Sequence, residues 1–251
     1  MKTKIFLVSI TMLLLGAGAA WAASAGSGLV GTDHDFTSWS TTPAVGLCSA
    51  CHITHRATGT RLLWNHTLST NASFSWTDVD KTIGGTTLPT INNATWTGPT
   101  KYCLSCHDGS VAIGDLNWWN GAARTGGSAL NNTKITDAAH QIGGGGVMNG
   151  NHPVAFPYPA NTSKSTYNSV TTGNMVPLAE FVGNPMTSNG IRLFNWNGSS
   201  VQAGVVTGAT GMECSSCHDP HNGGDVVDDY FLRGKLSGNG TDYICFKCHK
   251  K

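Results

Sequence analysis

The sequence predicts a mostly irregular, loop-rich fold, with short helices at a repeated cysteine motif and few short β-strands. The 251 residues include 32 glycines, and only 12% are charged, about half the usual share of roughly a quarter. Asn, Ser and Thr are frequent, and no long periodic segment indicates a helix or a long strand. Short alternating apolar stretches at 191–196 and 201–206 are candidate minor strands. The eight cysteines, described below, all belong to the repeated motif.

The first 22 residues are predicted to be a Sec-type signal peptide. Lys2 and Lys4 form a basic start, an apolar run follows, and an A-x-A cleavage site ends at Ala22. The apolar run of about 16 residues is shorter than the roughly 20 that a membrane span needs. We therefore expect an exported protein without a transmembrane segment in residues 23–251. Its expected location is extracellular or outer-membrane associated, and otherwise periplasmic.

The charge composition argues against a nucleic-acid partner. The chain has 15 basic and 14 acidic residues, a formal net charge of +1, whereas nucleic-acid binding needs a basic face. A weakly charged, neutral-polar surface does little to prevent self-association. Other copies of the chain are therefore candidate partners, together with redox partner proteins once the motif chemistry is considered.

The cysteine motif is Cys-x-x-Cys-His, the attachment signature of c-type haem. Its two thiols lie one short turn apart and add to the two vinyl groups of haem, and the following histidine binds the iron. Disulfides are the usual use of cysteine in exported chains, but they need no histidine after every second cysteine. The attachment cysteines are Cys48, Cys51, Cys103, Cys106, Cys214, Cys217, Cys245 and Cys248, and the motif histidines are His52, His107, His218 and His249. We predict four covalently bound haem c groups, which we expect to form the core.

Two histidines follow a motif histidine by three residues: His55 after His52, and His221 after His218. Residues three apart lie on one side of a helical turn. The two axial nitrogens of one iron lie on opposite faces of the porphyrin, each about 2 Å from the metal. His55 and His221 are therefore predicted to ligate the iron of a different haem, which would hold neighbouring haems in close contact.

The motifs divide the chain into two half-repeats, around 34–112 and 213–251, within one tetrahaem domain at 23–251 and with a cysteine-free segment between them. Within each half-repeat, we expect His55 to ligate the haem on Cys103 and Cys106, and His221 the haem on Cys245 and Cys248. The other two irons then need distal ligands. His34 and His152 are favoured because aromatic residues accompany both, and His66 and His140 remain alternatives.

Histidine on both faces of the iron leaves no open position for a substrate. This arrangement favours electron transfer at low potential, since methionine, the ligand that raises potential, is not needed. We therefore expect an electron-transfer protein and not an enzyme. A soluble periplasmic tetrahaem shuttle is the alternative to an assembled electron conduit, and a multihaem reductase is less favoured because all four motifs end in histidine.

Several stretches of the chain together resemble the multihaem c-type cytochromes of metal-respiring bacteria. They are HDFTS (34–38), CSACHITH (48–55), LLWNH (62–66), YCLSCHDGSVA (102–112), NHPVAFPY (151–158), ECSSCHDPHN (213–222) and FLRGKLSGNGTDYICFKCHKK (231–251). Within that group, the chain is similar to the extracellular tetrahaem cytochromes of the OmcE type, which polymerise into cytochrome nanowires. The resemblance implies distal ligation by His34, His55, His152 and His221. It also implies head-to-tail assembly in which one haem takes its distal histidine from the next subunit, and His34, close to the mature N-terminus, is our candidate donor.

Overall fold

The computed structural model describes residues 23–39, 45–55, 57, 62–77, 88, 90–123, 130–158, 166–171, 180–183, 185–186, 190–238 and 240–250. The predicted signal peptide, residues 1–22, lies outside the described residues. Within the described part of the chain, no helix is long and apolar enough to cross a membrane.

Helical structure coincides with the cysteine motifs. Helix α1 spans Thr100–His107 and contains the second motif, whereas α2, Cys214–Cys217, is the single turn of the third motif. A 3₁₀ turn at Ile244–Lys247 lies within the fourth motif. In the first motif, the His52 N–H donates to the Cys48 carbonyl at 2.8 Å, which closes one turn of helical backbone. Further 3₁₀ turns lie at Thr37–Trp39 and Gly144–Gly146.

Ten short strands in the described residues form four antiparallel sheets. The strands are β1 Ser73–Phe74, β2 Ile91–Asn92, β3 Trp118–Trp119, β4 Ala122–Ala123, β5 Phe156–Pro157, β6 Thr166–Tyr167, β7 Val170–Thr171, β8 Phe194–Trp196, β9 Val201–Ala203 and β10 Thr210–Met212. The largest sheet has four strands in the order β5-β10-β8-β9, and the pairs β1-β2, β3-β4 and β6-β7 form two-stranded sheets. Strands β8 and β9 confirm the two minor strands predicted within 191–196 and 201–206.

The hairpins follow from local turn chemistry. Asn120 and Gly121 both have positive φ between β3 and β4, as a two-residue type I′ turn requires. Asn168 and Ser169 take the same left-handed conformation between β6 and β7. Between β8 and β9, the Asn197 side-chain oxygen accepts the backbone N–H groups of two following residues at 3.0 and 2.9 Å. Asn, Gly and Ser residues therefore close hairpins along this chain.

The predicted fold class, a mostly irregular chain whose core is formed by haems, is wrong. The described residues form four antiparallel sheets, and their apolar side chains pack into two clusters of their own. The larger cluster contains Phe74, Trp76, Leu88, Ile91, Trp96, Leu104, Met148, Ala155, Tyr167, Phe194 and Val201. The smaller one contains Tyr158, Ile191, Leu193, Met212 and Cys248. The physical reason is that large aromatic side chains within the Gly-, Asn- and Thr-rich stretches bury against one another, each contributing roughly 1.5–3 kcal/mol.

Candidate cofactor-attachment sites

The first motif is held by a short antiparallel segment at residues 62–65. On one side of the His52–Trp64 bridge, the Ile53 N–H donates to the Leu63 carbonyl at 2.8 Å. On the other side, the Asn65 N–H donates to the Cys51 carbonyl, also at 2.8 Å. We call such a partner a bracing segment, because it fixes the backbone on both sides of the motif histidine.

The third motif has the same arrangement, with residues 230–233 as its bracing segment. The Asp219 N–H donates to the Phe231 carbonyl at 2.8 Å, and the Arg233 N–H donates to the Cys217 carbonyl at 2.9 Å. The bridge between them joins His218 and Leu232. The two octets that looked alike in sequence therefore also share their backbone hydrogen bonds.

The fourth motif is braced by residues 180–182, which precede it in the chain. The Lys250 N–H donates to the Glu180 carbonyl at 2.6 Å, and the Val182 N–H donates to the Cys248 carbonyl at 2.8 Å. Phe181 bridges to His249 between these bonds. The second motif lies in helix α1 and differs, since the carbonyl of its histidine, His107, accepts the Ile142 N–H at 2.8 Å.

Backbone carbonyls fix the ring nitrogens of three motif histidines. Nδ1 of His52 bonds the Leu62 carbonyl, Nδ1 of His218 bonds the Tyr230 carbonyl at 2.7 Å, and Nδ1 of His107 bonds the His140 carbonyl at 3.0 Å. A carbonyl can only accept, so Nδ1 carries the proton and Nε2 keeps its lone pair for a metal. Metal-ligating histidines are typically oriented in this way.

The two carbonyls in the bracing segments that accept these hydrogen bonds belong to strained residues. Leu62 has φ of 53° and Tyr230 has φ of 57°, and each is followed by a second bulky residue with positive φ. Such conformations cost of order 1–3 kcal/mol for non-glycine residues and persist only where the surroundings impose them. The strain therefore marks both segments as places where the backbone is shaped around the motif histidine.

Three motif histidines each lie beside a histidine from outside the motifs. The ring centroids are 6.1 Å apart for His52 and His221, 6.1 Å for His107 and His34, and 6.4 Å for His249 and His152. Two imidazoles on opposite faces of one iron, with metal–nitrogen bonds of about 2 Å, have their centroids about 6 Å apart. All three separations match that spacing.

These pairs differ from those expected within the half-repeats. His221 lies beside His52 of the first motif, whereas we expected it to serve the fourth. His34, and not His55, lies beside His107. Each pair joins segments that are far apart in the chain, and the pair His52–His221 brings the two half-repeats together. The structure thus pairs His34, His152 and His221 with motif histidines, but in a combination that differs from the predicted one.

His34 is held inside its own chain. Its Nδ1 bonds the Pro220 carbonyl at 3.3 Å, and its ring contacts the Phe231 ring with centroids 4.9 Å apart. Burial lowers the pKa of His34, and the nearby His107 lowers it further, so the ring is neutral at neutral pH. A neutral ring with Nδ1 on a carbonyl is suited to metal ligation through Nε2.

His66 and His140, the alternative ligands, have other contacts. His66 is buried, and its two ring nitrogens bond the carbonyls of Thr67 at 2.6 Å and Ala112 at 2.9 Å. In the described part of the chain, the His66 ring makes no ring contact with a motif histidine. His140 is exposed, and its Nδ1 bonds the Asp137 carboxylate at 2.7 Å. Both histidines thus have structural roles, in a loop–backbone contact and in a surface pair.

His55 and His218 are both exposed. Among the described residues, no ring contact joins either of them to another histidine, although Nδ1 of His218 is bonded to Tyr230. One motif histidine, His218, and three other histidines, His55, His66 and His140, therefore remain outside the three pairs.

The eight cysteines are free thiols, and neighbouring motifs meet through them. Burial, together with the nearby Cys51, raises the pKa of Cys106 to about 12. Cys103 and Cys214 share a hydrogen bond that raises the pKa of Cys103 and lowers that of Cys214.

Burial likewise raises the pKa of Cys217 to about 12, and the nearby Cys248 thiol is the next largest cause. Each motif is thus adjacent to the next one, in chain order from the first to the fourth. The partly buried thiols of Cys51, Cys106, Cys217 and Cys248, whose pKa values burial raises, are protonated at neutral pH.

The donor set fits four covalently attached haems. Each motif presents two thiols that are not in disulfides, together with a histidine, and three of these histidines have an Nδ1–H bonded to a carbonyl. No group of three or more His, Cys, Asp or Glu side chains in the described residues could hold a bare metal ion. Haem iron takes four nitrogens from the porphyrin, so two protein ligands suffice for each iron.

Comparison with known proteins adds no family assignment. No family model matches the chain, and no curated protein matches it.

The bracing segments were missed by sequence reasoning. Their one sequence signal is a run of bulky residues, Leu62–Asn65 and Tyr230–Arg233, that begins 10 and 12 residues after a motif histidine.

Proposed function

We propose that this chain transfers electrons through four c-type haems, one attached at each Cys-x-x-Cys-His motif. The observation that carries the proposal is the set of three histidine pairs at 6.1–6.4 Å, because each pair joins one motif histidine to one histidine from elsewhere. Ordinary ring packing has no reason to select this combination three times. A haem iron between the two rings accounts for both the pairing and the spacing.

The protein's contribution is to attach each haem, to orient the ligands of its iron and to cover it from solvent. The cysteine pairs would hold the cofactor, and a histidine pair such as His52 and His221 would ligate its iron. Backbone carbonyls set the tautomer of three of the motif histidines. When bound, haem supplies a reversible one-electron change at its iron. Two histidine ligands leave no position for a substrate, which favours electron transfer over catalysis. The motif-to-motif thiol contacts support a continuous series of four redox groups.

The assignment of His221 to the first motif can be tested by replacement. We expect His221→Ala to keep four attached haems, by mass spectrometry, but to show one high-spin ferric iron by electron paramagnetic resonance. His140→Ala is the matched control, since His140 is an exposed histidine with a carboxylate partner, and all its irons should remain low-spin. Fewer than four haems on the wild-type protein would overturn the proposed function. A fully low-spin His221→Ala protein would overturn the pairing.

We propose further that copies of the chain assemble head to tail, with His55 of one subunit ligating the iron at His218 of the next. Three motif histidines have a histidine partner within the chain, and His218 is the one that remains. His55 is favoured as its partner over His66 and His140, because the ring nitrogens of those two bond carbonyls or a carboxylate of their own chain. A contact between two different surfaces of identical subunits repeats without closing, which produces a filament. The proposal changes the donor from His34, whose ring lies beside His107 of its own chain.

Two variants discriminate the donors. We expect His55→Ala to retain four haems, to gain one high-spin iron and to lose filaments in electron micrographs of secreted protein. His34→Ala should also gain one high-spin iron but should still polymerise. Filaments that persist in His55→Ala and vanish in His34→Ala would reverse the assignment. A wild-type protein that is monomeric with four low-spin irons would instead indicate the soluble shuttle.

A further inference from the structure

Glu213 is a carboxyl group buried at the junction of the second and third motifs. It is 1% exposed and immediately precedes Cys214. One carboxyl oxygen accepts the Thr100 N–H at the start of α1 at 2.9 Å, and the other accepts the Tyr167 hydroxyl at 2.6 Å. Thr100 in turn accepts the Cys214 N–H through its side-chain oxygen at 3.0 Å. The carboxyl group thus links helix α1, strand β6 and helix α2.

No cation compensates this carboxyl group. Among the described residues, no Lys, Arg or His side chain forms an ion pair with Glu213. The titratable groups that face it are Cys103 from α1, Tyr167 from β6 and Cys214 from α2. Burial raises the pKa of Glu213 to about 7, although its hydrogen bonds to Thr100 and Tyr167 oppose the rise. Its charge is therefore poised to change near neutral pH.

The location of Glu213 connects it to two attachment sites at once. Cys103 and Cys214, joined by a hydrogen bond, belong to different motifs, and both feel the charge of Glu213. In a buried region of low dielectric, a charge interacts with its neighbours more strongly than in water. An electron that arrives at either of the two adjoining cofactors adds negative charge beside this carboxylate. The protonation equilibrium of Glu213 then shifts towards the neutral carboxyl group.

We propose that Glu213 couples proton uptake to electron transfer at the second and third motifs. This inference rests on the proposed function. When a one-electron donor reduces an adjoining ferric iron to the ferrous state, the Glu213 carboxylate binds one proton from water. On oxidation of that iron, the carboxyl O–H bond breaks and the proton returns to water. Proton uptake thus accompanies electron uptake, and it offsets part of the negative charge that the electron adds to the buried junction.

The expected effect is a pH-dependent midpoint potential for the haems at these two motifs. A roughly tenfold difference in proton affinity of Glu213 between the two redox states is the order expected for a nearby buried charge. That factor converts to about 59 mV for a one-electron couple. The change should be centred near neutral pH, and the potentials should be higher at low pH because protonation favours the reduced state.

The test is a redox titration of the purified holoprotein, followed by its visible absorbance, from about pH 5 to about pH 9. Dithionite serves as the one-electron donor. We expect the wild-type protein to show the pH dependence and Glu213→Gln, which cannot ionise, to lose it. Tyr167→Phe should move the transition to higher pH, because it removes a hydrogen bond that stabilises the carboxylate. Wild-type potentials that are independent of pH, or a Glu213→Gln protein with unchanged dependence, would overturn the inference.

A second measurement keeps the inference testable if the variants fail to fold. Redox-difference infrared spectra of the wild-type holoprotein should show a protonated carboxyl band that grows on reduction, and its absence would contradict the coupling. The outcomes are separable from those of the proposed function. A wild-type protein without attached haem refutes electron transfer itself, whereas four haems with pH-independent potentials refute only the role of Glu213.

Discussion

Replacement of Glu213 by glutamine should remove a specific pH dependence of folding stability. Burial raises the carboxyl pKa from 4.5 to about 7 in the folded chain. A group with a raised folded pKa contributes stability that is complete below its unfolded pKa and is lost as pH rises through the folded value. At about 1.4 kcal/mol for each pKa unit, the folded wild type should lose about 3 kcal/mol between about pH 4.5 and above pH 7.

Chemical denaturation of the holoprotein, followed by far-UV circular dichroism at about pH 5 and about pH 8, measures this loss. Gln keeps a carbonyl oxygen for the Thr100 N–H and a donor for the Tyr167 hydroxyl, so the variant should fold. His66, whose pKa burial lowers, acts in the opposite direction because its contribution to folding stability increases as pH rises. The difference between wild type and Glu213→Gln therefore isolates the carboxyl group. An equal pH dependence in both proteins would refute the reasoning.

Three further predictions concern the packing around the sites. Gly211→Ala should destabilise the protein by roughly 1–3 kcal/mol in chemical denaturation, because the new methyl group would overlap the buried Tyr167 ring, whereas Gly224→Ala, in open space, should be neutral. Leu104→Ala in helix α1 should cost roughly 2–5 kcal/mol by the same measurement, since this side chain is 1% exposed within the larger core cluster. His66→Phe should cost about 1–3 kcal/mol, because the carbonyl that accepts the single N–H of the neutral His66 ring loses its donor, yet leave all irons low-spin by electron paramagnetic resonance. A new high-spin signal in His66→Phe would instead identify His66 as a ligand.

Local chemistry could be predicted from the sequence because it depends on short spacing. The Cys-x-x-Cys-His segments determine where one helical turn forms, and the alternating residues around Phe194 and Val201 predicted two strands that the structure contains. The fold class was predicted wrongly for a related reason. The frequent Asn, Gly and Ser residues predicted irregular loops, whereas Asn120-Gly121 and Asn168-Ser169 close hairpins, and the second hairpin places Tyr167 in the core.

The combination of histidines depends on tertiary structure and could not be obtained from spacing. Nothing in the sequence around His52 indicates that His221 will lie beside it, because the approach depends on how the two half-repeats pack. The left-handed backbone conformation at Leu62 and Tyr230 could not be predicted from the sequence either, since bulky residues seldom adopt it. Glu213 has no motif of its own, and its significance follows from burial beside Tyr167.

The bracing segment follows its motif in the first and third sites but precedes it in the fourth. Residues 180–182, which precede their motif in the chain, form the same backbone hydrogen-bond pattern as residues 62–65 and 230–233, which follow theirs. Chain connectivity is thus irrelevant to how the motif histidine is anchored. New attachment modules could arise by recombination at either end of an existing one, and a circularly permuted gene that joins brace and motif in the reverse order should still encode a competent unit.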